Sequence, residues 1–76
     1  MKLHLGGHLA WHDEHKRTNL DIPVDGSISL NALLVQLSIP RGEVGLISIN
    51  GEMFEGEDVF VSDEDTILLY PPIGGG

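Results

Sequence analysis

The stretch "SLNALLVQLSIP" (residues 29–40) is where the spacing of apolar residues changes from two to about 3.6. Its leucines recur at i, i+3, i+4 and i+7, on one stripe of an amphipathic helix: Leu30, Leu33, Leu34 and Leu37. Ser29 is a suitable N-cap, because its hydroxyl can accept a hydrogen bond from a free amide of the first turn. Pro40 disfavours helical backbone at the residue before it, so the predicted helix ends near Ser38.

Alternating or β-branched segments on both sides of this helix predict short strands. Two precede it, "KLHL" (2–5) and "RTNLDIPV" (17–24), and the run between them is predicted to be a loop in which Trp11 anchors on the core. Three follow it: "VGLISIN" (44–50), "VFV" (59–61) and "TILLY" (66–70). Asn50-Gly51 favours a tight hairpin with a return arm near Met53 and Phe54.

One amphipathic helix among strands restricts the fold class. Such a helix can cover one face of one small mixed sheet, whereas ferredoxin-like folds need two helices. In a small barrel the leucine stripe would be poorly placed. The pattern therefore predicts an α+β fold of the β-grasp type, in which the first and last strands are adjacent and parallel. Residues 1–70 are predicted to form this domain, and residues 71–76 a flexible C-terminal tail.

Composition excludes several classes of protein. The 76 residues suffice for one small domain, and there is no cysteine to form a disulfide or act as a thiol nucleophile. No uninterrupted apolar run resembles a signal peptide or a membrane span, so a cytoplasmic protein is expected. The acids of residues 63–65 are predicted to form a solvated turn, and the chain is expected not to be an enzyme.

The net charge of −8 is unevenly distributed. Residues 1–41 contain four acids and four bases, whereas residues 42–76 contain eight acids and neither lysine nor arginine. Phosphate binding depends on lysine and arginine, so nucleic acid and anionic membranes are not expected partners. A basic protein surface is a better candidate, although the acids also serve solubility.

The last seven residues, "YPPIGGG" (70–76), suggest a chemical use for the chain end. Pro71 and Pro72 cannot extend a strand ladder and stiffen the chain after Tyr70. Glycines without side chains could pass through a narrow channel and deliver an unhindered carboxylate at Gly76. Such a carboxylate becomes an acyl donor once it attacks the α-phosphate of ATP. The alternative is a frayed terminus without function.

Four histidines, His4, His8, His12 and His15, occur at intervals of three or four residues. A helical metal stripe would need this spacing, but Gly6-Gly7 interrupts any helix there. Scattered surface histidines are the preferred interpretation, and no metal site is predicted.

Three segments carry a resemblance to the MoaD/ThiS family of ubiquitin-like sulfur carriers: "VDGSISLNALLVQLSIP", "ISINGE" and "DTILLYPPIGGG". The Pro-Pro pair is closer to the small subunits of molybdopterin synthase. The resemblance implies that a ubiquitin-activating-type adenylyltransferase consumes ATP to adenylate Gly76, which is then converted to a thiocarboxylate. It also implies transfer of sulfur to a synthase large subunit or another acceptor enzyme, with no cofactor bound to the carrier itself.

The predicted partner-binding residues lie in the last strand and the tail. Leu68 and Tyr70 should share a face of that strand opposite Ile67 and Leu69, and could form a docking patch or be covered by a loop. The remaining partner-binding residues would steer and thread the tail: Pro71, Pro72, Ile73, Gly74 and Gly75. Alternatives are a modifier conjugated to lysines, a carrier for thiamine synthesis or tRNA thiolation, and a plain interaction domain.

Overall fold

Seven short strands and one α-helix form the fold, which the computed structural model describes over residues 1–55 and 58–72. Two 3₁₀ helices, Gly7–His12 and Arg41–Glu43, connect these elements. The helix is α1 (Leu30–Gln36). The strands are β1 (Lys2–Leu5), β2 (Asn19–Asp21), β3 (Ser27–Ser29), β4 (Leu46–Ile49), β5 (Glu52–Phe54), β6 (Phe60–Ser62) and β7 (Thr66–Tyr70).

Five of the strands form one mixed sheet in the order β2-β1-β7-β4-β5. The first and last strands, β1 and β7, are adjacent and parallel, while the other pairs in this sheet are antiparallel. The predicted α+β, β-grasp arrangement is therefore confirmed. β7 lies in the middle of the sheet and is paired along both edges, with β1 on one side and β4 on the other.

The inner face of this sheet and α1 enclose the core. Leu30, Leu33 and Leu34 are buried, as the helical stripe predicts, and Leu37 packs partly buried at the edge of the cluster. The sheet contributes buried side chains from its central strands: Leu3, Leu5, Ile47, Ile67 and Leu69. Burial of each such side chain stabilises the fold by about 1.5–3 kcal/mol, so the match between stripe and sheet is the main source of stability.

Both ends of α1 are closed by hydrogen bonds. The Ser29 hydroxyl accepts from the amide of Ala32 at 3.1 Å, which confirms the predicted N-cap. At the other end the helix stops at Gln36, slightly earlier than predicted, because Ser38 adopts a left-handed backbone with a φ of 60°. The Ile39 amide then donates to the Leu34 carbonyl at 2.9 Å, as in a Schellman motif.

A two-stranded ribbon, β3 paired with β6, was only partly predicted. A strand was predicted over residues 59–61, but none was predicted at Ser27–Ser29, where only Ser29 was assigned, as the N-cap of the helix. The predicted strand over residues 17–24 was also too long, since only Asn19–Asp21 pairs with β1. Both β2 and β3 are three residues long. Their extent is determined by pairing with a partner strand rather than by alternation of apolar residues in their own sequence.

The Asn50-Gly51 hairpin between β4 and β5 is confirmed. Asn50 and Gly51 have φ values of 52° and 87°, the positive values that a type I′ turn requires. The Asn50 side chain also accepts a hydrogen bond from the Thr66 amide at 2.9 Å, which ties this turn to the start of β7. Within the described residues, no helix is long and apolar enough to cross a membrane.

Candidate functional site

Strand β7 divides its side chains between the core and the outer face of the sheet. Ile67 and Leu69 are 0% exposed, whereas Leu68 and Tyr70 are partly exposed on the opposite face. Side chains alternate between the two faces of a strand, so the predicted division is confirmed. Leu68 and Tyr70 are therefore accessible to another protein, although their use as a docking site is a separate question.

Cross-strand pairing places further apolar side chains beside these two. Tyr70 pairs with Leu46 in the adjacent strand, and Ser48 pairs with Leu68 on one side and Met53 on the other. Pro71 extends this surface, because it lines an open depression together with Leu46 and Tyr70. We call this surface the outer apolar face, formed by Leu46, Met53, Leu68, Tyr70 and Pro71.

His4 borders the outer apolar face at β1. Its ring centroid lies 6.0 Å from that of Tyr70, with the ring planes tilted by 51°. The Nδ1 atom of His4 lies 3.0 Å from the Oδ1 atom of Asn19, in hydrogen-bonding distance. This contact fixes the imidazole ring, which in turn limits the positions open to the Tyr70 ring.

Three glycines surround the point at which the chain leaves β7. We call residues 70–72 the tail root and the glycines Gly6, Gly7 and Gly45 the glycine grip. A Cβ atom at Gly6 would overlap the Tyr70 ring, and one at Gly7 would lie 2.8 Å from Cγ of Pro71. A Cβ at Gly45 would overlap Cα of Pro72 and lie 2.7 Å from its nitrogen. The tail root is therefore in close contact with backbone on two sides.

Backbone hydrogen bonds hold the same segment. The Gly6 amide donates to the Leu69 carbonyl at 2.7 Å, and the Gly45 amide donates to the Tyr70 carbonyl at 2.8 Å. Gly6 follows β1 and Gly45 precedes β4, so the two bonds reach β7 from its two opposite edges. The direction in which the chain passes Pro72 is thus set by two loops that are distant in sequence.

Two histidines bridge these loops through one carboxylate. The Nε2 atoms of His8 and His12 lie 3.2 Å and 2.8 Å from the same Oε1 atom of Glu43. Hydrogen bonding from His12, together with the charge of both rings, lowers the pKa of Glu43 from its ordinary value. The interpretation of scattered surface histidines is therefore incomplete, because the 3₁₀ helix Gly7–His12 brings two of the four together.

The acids of the β6–β7 turn have structural partners. Asp65 accepts hydrogen bonds from the Ser62 amide and the Asn50 side chain, each at 2.8 Å, and these bonds lower its pKa. The Asp63 carboxylate accepts from the Val24 amide at 3.0 Å, which lowers its pKa as well. The predicted solvated turn is exposed at Asp63 and Glu64, and its hydrogen bonds also connect it to two other parts of the chain.

Four predicted site residues lie outside the described residues: Ile73, Gly74, Gly75 and Gly76. Within residues 1–55 and 58–72, no group of three or more His, Cys, Asp or Glu side chains is arranged to hold a metal ion. Of the predicted partner-binding residues, the structure brings Leu68, Tyr70, Pro71 and Pro72 together at one end of the sheet.

The prediction for Trp11 was wrong, and the glycine grip was missed. Trp11 is 73% exposed, because Leu9 and Ala10 occupy the buried positions of its 3₁₀ helix. In the sequence, Gly6-Gly7 served only as an argument against a helix. One feature of the sequence could have indicated the glycine grip. Glycines lie directly after β1 and directly before β4, the two strands that flank β7, and β7 ends in Tyr-Pro-Pro.

Comparison with known proteins agrees with this architecture. No curated protein matches the chain. The sequence model of the Mut7-C ubiquitin family matches residues 8–74, which include every described helix and strand except β1 and the first residue of the 3₁₀ helix Gly7–His12. The predicted ubiquitin-like kind is thus confirmed, while the closer likeness to molybdopterin synthase small subunits stays a prediction. The chain belongs to the Mut7-C ubiquitin family of ubiquitin-like domains.

Proposed function

We propose that this ubiquitin-like domain is a sulfur carrier whose reactive group is the carboxylate of Gly76. The observation that carries the proposal is the tail root, where the central strand of the sheet passes into Pro71 and Pro72 between the glycines of the grip. The segment from Ile73 to Gly76 can span at most about 14 Å at roughly 3.6 Å per residue. A firmly held base and a thin end suit delivery of an acyl group into another protein's active site.

The chemistry requires a partner that supplies the nucleotide site. The Gly76 carboxylate attacks the α-phosphate of ATP, pyrophosphate leaves, and an acyl adenylate forms. Attack of hydrosulfide on the acyl carbon then breaks the mixed-anhydride bond, releases AMP and a proton, and leaves a thiocarboxylate. Glycine at the end of the chain presents no side chain to hinder either attack.

Molybdopterin or tungstopterin synthesis is the proposed destination of the sulfur. The support is the resemblance of "DTILLYPPIGGG" to the small subunits of molybdopterin synthase. In that version the acceptor is a synthase large subunit and the carrier binds no cofactor. Thiamine synthesis and tRNA thiolation are alternative destinations with the same activated tail.

Intact mass spectrometry of the protein from its own cells tests the proposal. The measured mass establishes whether the chain ends at Gly76, and a fraction heavier by one oxygen-to-sulfur exchange is expected. A second candidate, a protein modifier, would instead leave Gly-Gly remnants on lysines of other proteins, in conjugates that resist thiol reductants. If the sulfur-bearing form is absent and such conjugates are found, the protein is a modifier and the sulfur-carrier proposal is wrong.

We further propose that the outer apolar face docks on the adenylating partner. Its apolar side chains lie next to the tail root, and the acids of residues 42–76 favour a partner with a basic rim. Apolar residues at the centre of an interface carry much of the binding energy.

Aspartate at Leu68 and Tyr70 is expected to weaken this docking. The double variant Leu68→Asp/Tyr70→Asp would bury two carboxylates in the interface, so Kd should rise at least about tenfold, equivalent to about 1.4 kcal/mol. Titration calorimetry with the adenylating enzyme measures the change, and thermal unfolding checks the fold. Val35→Asp, at an exposed apolar position on α1, is the matched control and should leave Kd unchanged. If the folded double variant binds the enzyme with the wild-type Kd, the outer apolar face is not the docking surface.

A further inference from the structure

Glu43 joins the two loops that hold the tail root. His8 and His12 lie on the 3₁₀ helix that begins at Gly7, and Gly7 approaches Pro71. Glu43 lies two residues before Gly45, whose amide holds the Tyr70 carbonyl. The contacts of His8 and His12 with Glu43 Oε1, at 3.2 Å and 2.8 Å, therefore close a ring of contacts around the tail root.

We infer that Glu43 is a positioning residue for the tail root: its contacts with His8 and His12 hold the two sides of the glycine grip together and so fix the positions of Pro71 and Pro72 after β7. Without this bridge each loop touches the tail root separately. With it, Gly7 and Gly45 move as one unit. The effect of Glu43 on the tail root does not depend on what the protein does, whereas the consequence for adenylation rests on the proposed sulfur-carrier function.

The bridge depends on the charge of Glu43. The hydrogen bond from His12 is the largest cause that lowers the pKa of Glu43 from its ordinary value of 4.5, and His8 adds to it. Because this pKa is lowered, the contribution of the carboxylate to stability is fully present above its ordinary value and is lost as the pH falls through the lowered value.

Two other charged groups near the bridge, Asp13 and Arg41, make hydrogen bonds to groups other than Glu43. His12 borders a small cavity with Asp13 and Glu14. Asp13 is paired with Arg17, whose Nε and Nη2 atoms donate to its two carboxylate oxygens at 3.0 Å. Arg41, in the same turn as Glu43, donates from Nη1 to the Val44 carbonyl at 3.2 Å. His8 and His12 are thus the groups that lower the pKa of Glu43.

Glu43→Gln keeps the size of the side chain and one acceptor oxygen but removes the charge. In the wild type, the bridge should help to protect the Gly45 amide, which donates to the Tyr70 carbonyl, from hydrogen exchange. In Glu43→Gln, exchange of the Gly45 amide measured by NMR should be about two- to fivefold faster, the range of an exposed ion pair. Glu64→Gln, which removes the same charge from the exposed β6–β7 turn, is the matched control and should keep the wild-type exchange rate.

A conservative variant separates positioning from simple stability. In His12→Gln the side-chain amide can still donate to the Glu43 carboxylate, so protection of the Gly45 amide should be retained. In adenylation assays, Glu43→Gln should raise KM for the carrier about two- to fivefold with little change in kcat, because a smaller fraction of the protein presents the tail correctly.

The outcomes distinguish this inference from the proposed function. Protection of the Gly45 amide that is the same in Glu43→Gln as in the wild type would overturn the positioning role. A wild-type protein that is never adenylated by a matched enzyme would overturn the sulfur-carrier proposal, while the NMR comparison would still decide the role of Glu43.

Discussion

On the proposed function, in which Gly76 carries the reactive carboxylate, adenylation should be lost when Gly76 is altered, while the fold persists. Adding one alanine after Gly76 would move the carboxylate to a different residue and place a methyl group beside it in the partner's active site, so pyrophosphate release should become undetectable. Deleting Gly76 still leaves a Gly-Gly end but shortens the reach by roughly 3.5 Å. Since a misplacement of 1 Å can cost about 10²-fold in rate, the shortened chain should lose at least that factor.

Thermal unfolding provides the control for both changes. The buried core cluster extends from Met1 to Leu69, so the midpoint of unfolding should change little when Gly76 is removed or extended. Pyrophosphate release by a matched adenylating enzyme, at a fixed carrier concentration, measures the loss. A truncated protein that unfolds would show that the glycines stabilise the domain, and a truncated or extended protein that is adenylated normally would show that Gly76 is not the reactive end.

Gly45→Ala should disturb the tail root directly. Its new Cβ would overlap Cα of Pro72, which is backbone and cannot rotate away as a side chain could. Either the loop before β4 or the tail root must move, and the Gly45 amide would then lose its short bond to the Tyr70 carbonyl. We expect a loss of about 1–3 kcal/mol in the free energy of unfolding, typical of overpacking, and about a 10²-fold loss of adenylation.

Gly42→Ala is the matched control, because Gly42 lies in the preceding turn and a Cβ there meets no atom within 4 Å. Its free energy of unfolding should stay within about 0.5 kcal/mol of the wild type, and its adenylation should be unchanged. Chemical denaturation and pyrophosphate release on the two variants give the comparison. Equal behaviour of Gly45→Ala and Gly42→Ala would mean that contact with Pro72 does not direct the tail.

The larger elements could be predicted because their signals are local and repeated. The leucine stripe of α1 and the alternation in "TILLY" each specify a buried face without reference to the rest of the chain. Asn50-Gly51 specifies its turn because both positions require a positive φ. The three-residue strand β3 carried too few residues for any such pattern, and its pairing depends on β6, about thirty residues further along the chain.

The candidate site was predictable only in part for the same reason. Leu68 and Tyr70 follow from the alternation of β7, and the proline pair follows from the chemistry of proline. Glu43, by contrast, has no feature in the sequence that links it to His8 and His12, which lie more than thirty residues away. Trp11 was misplaced because a large aromatic residue is more often buried, whereas a 3₁₀ helix turned its smaller neighbours inward.

By itself, the sequence determined that one helix covers one small sheet and that the last strand ends in prolines and glycines. These features arise from the spacing of neighbouring residues, which the chain carries in any conformation. Only the tertiary structure decided that Gly6, Gly7 and Gly45 close around the tail root and that Glu43 bridges the loops bearing them. Pairing of β7 between β1 and β4 brings those distant loops to the same end of the sheet, and that proximity is a property of the folded sheet alone.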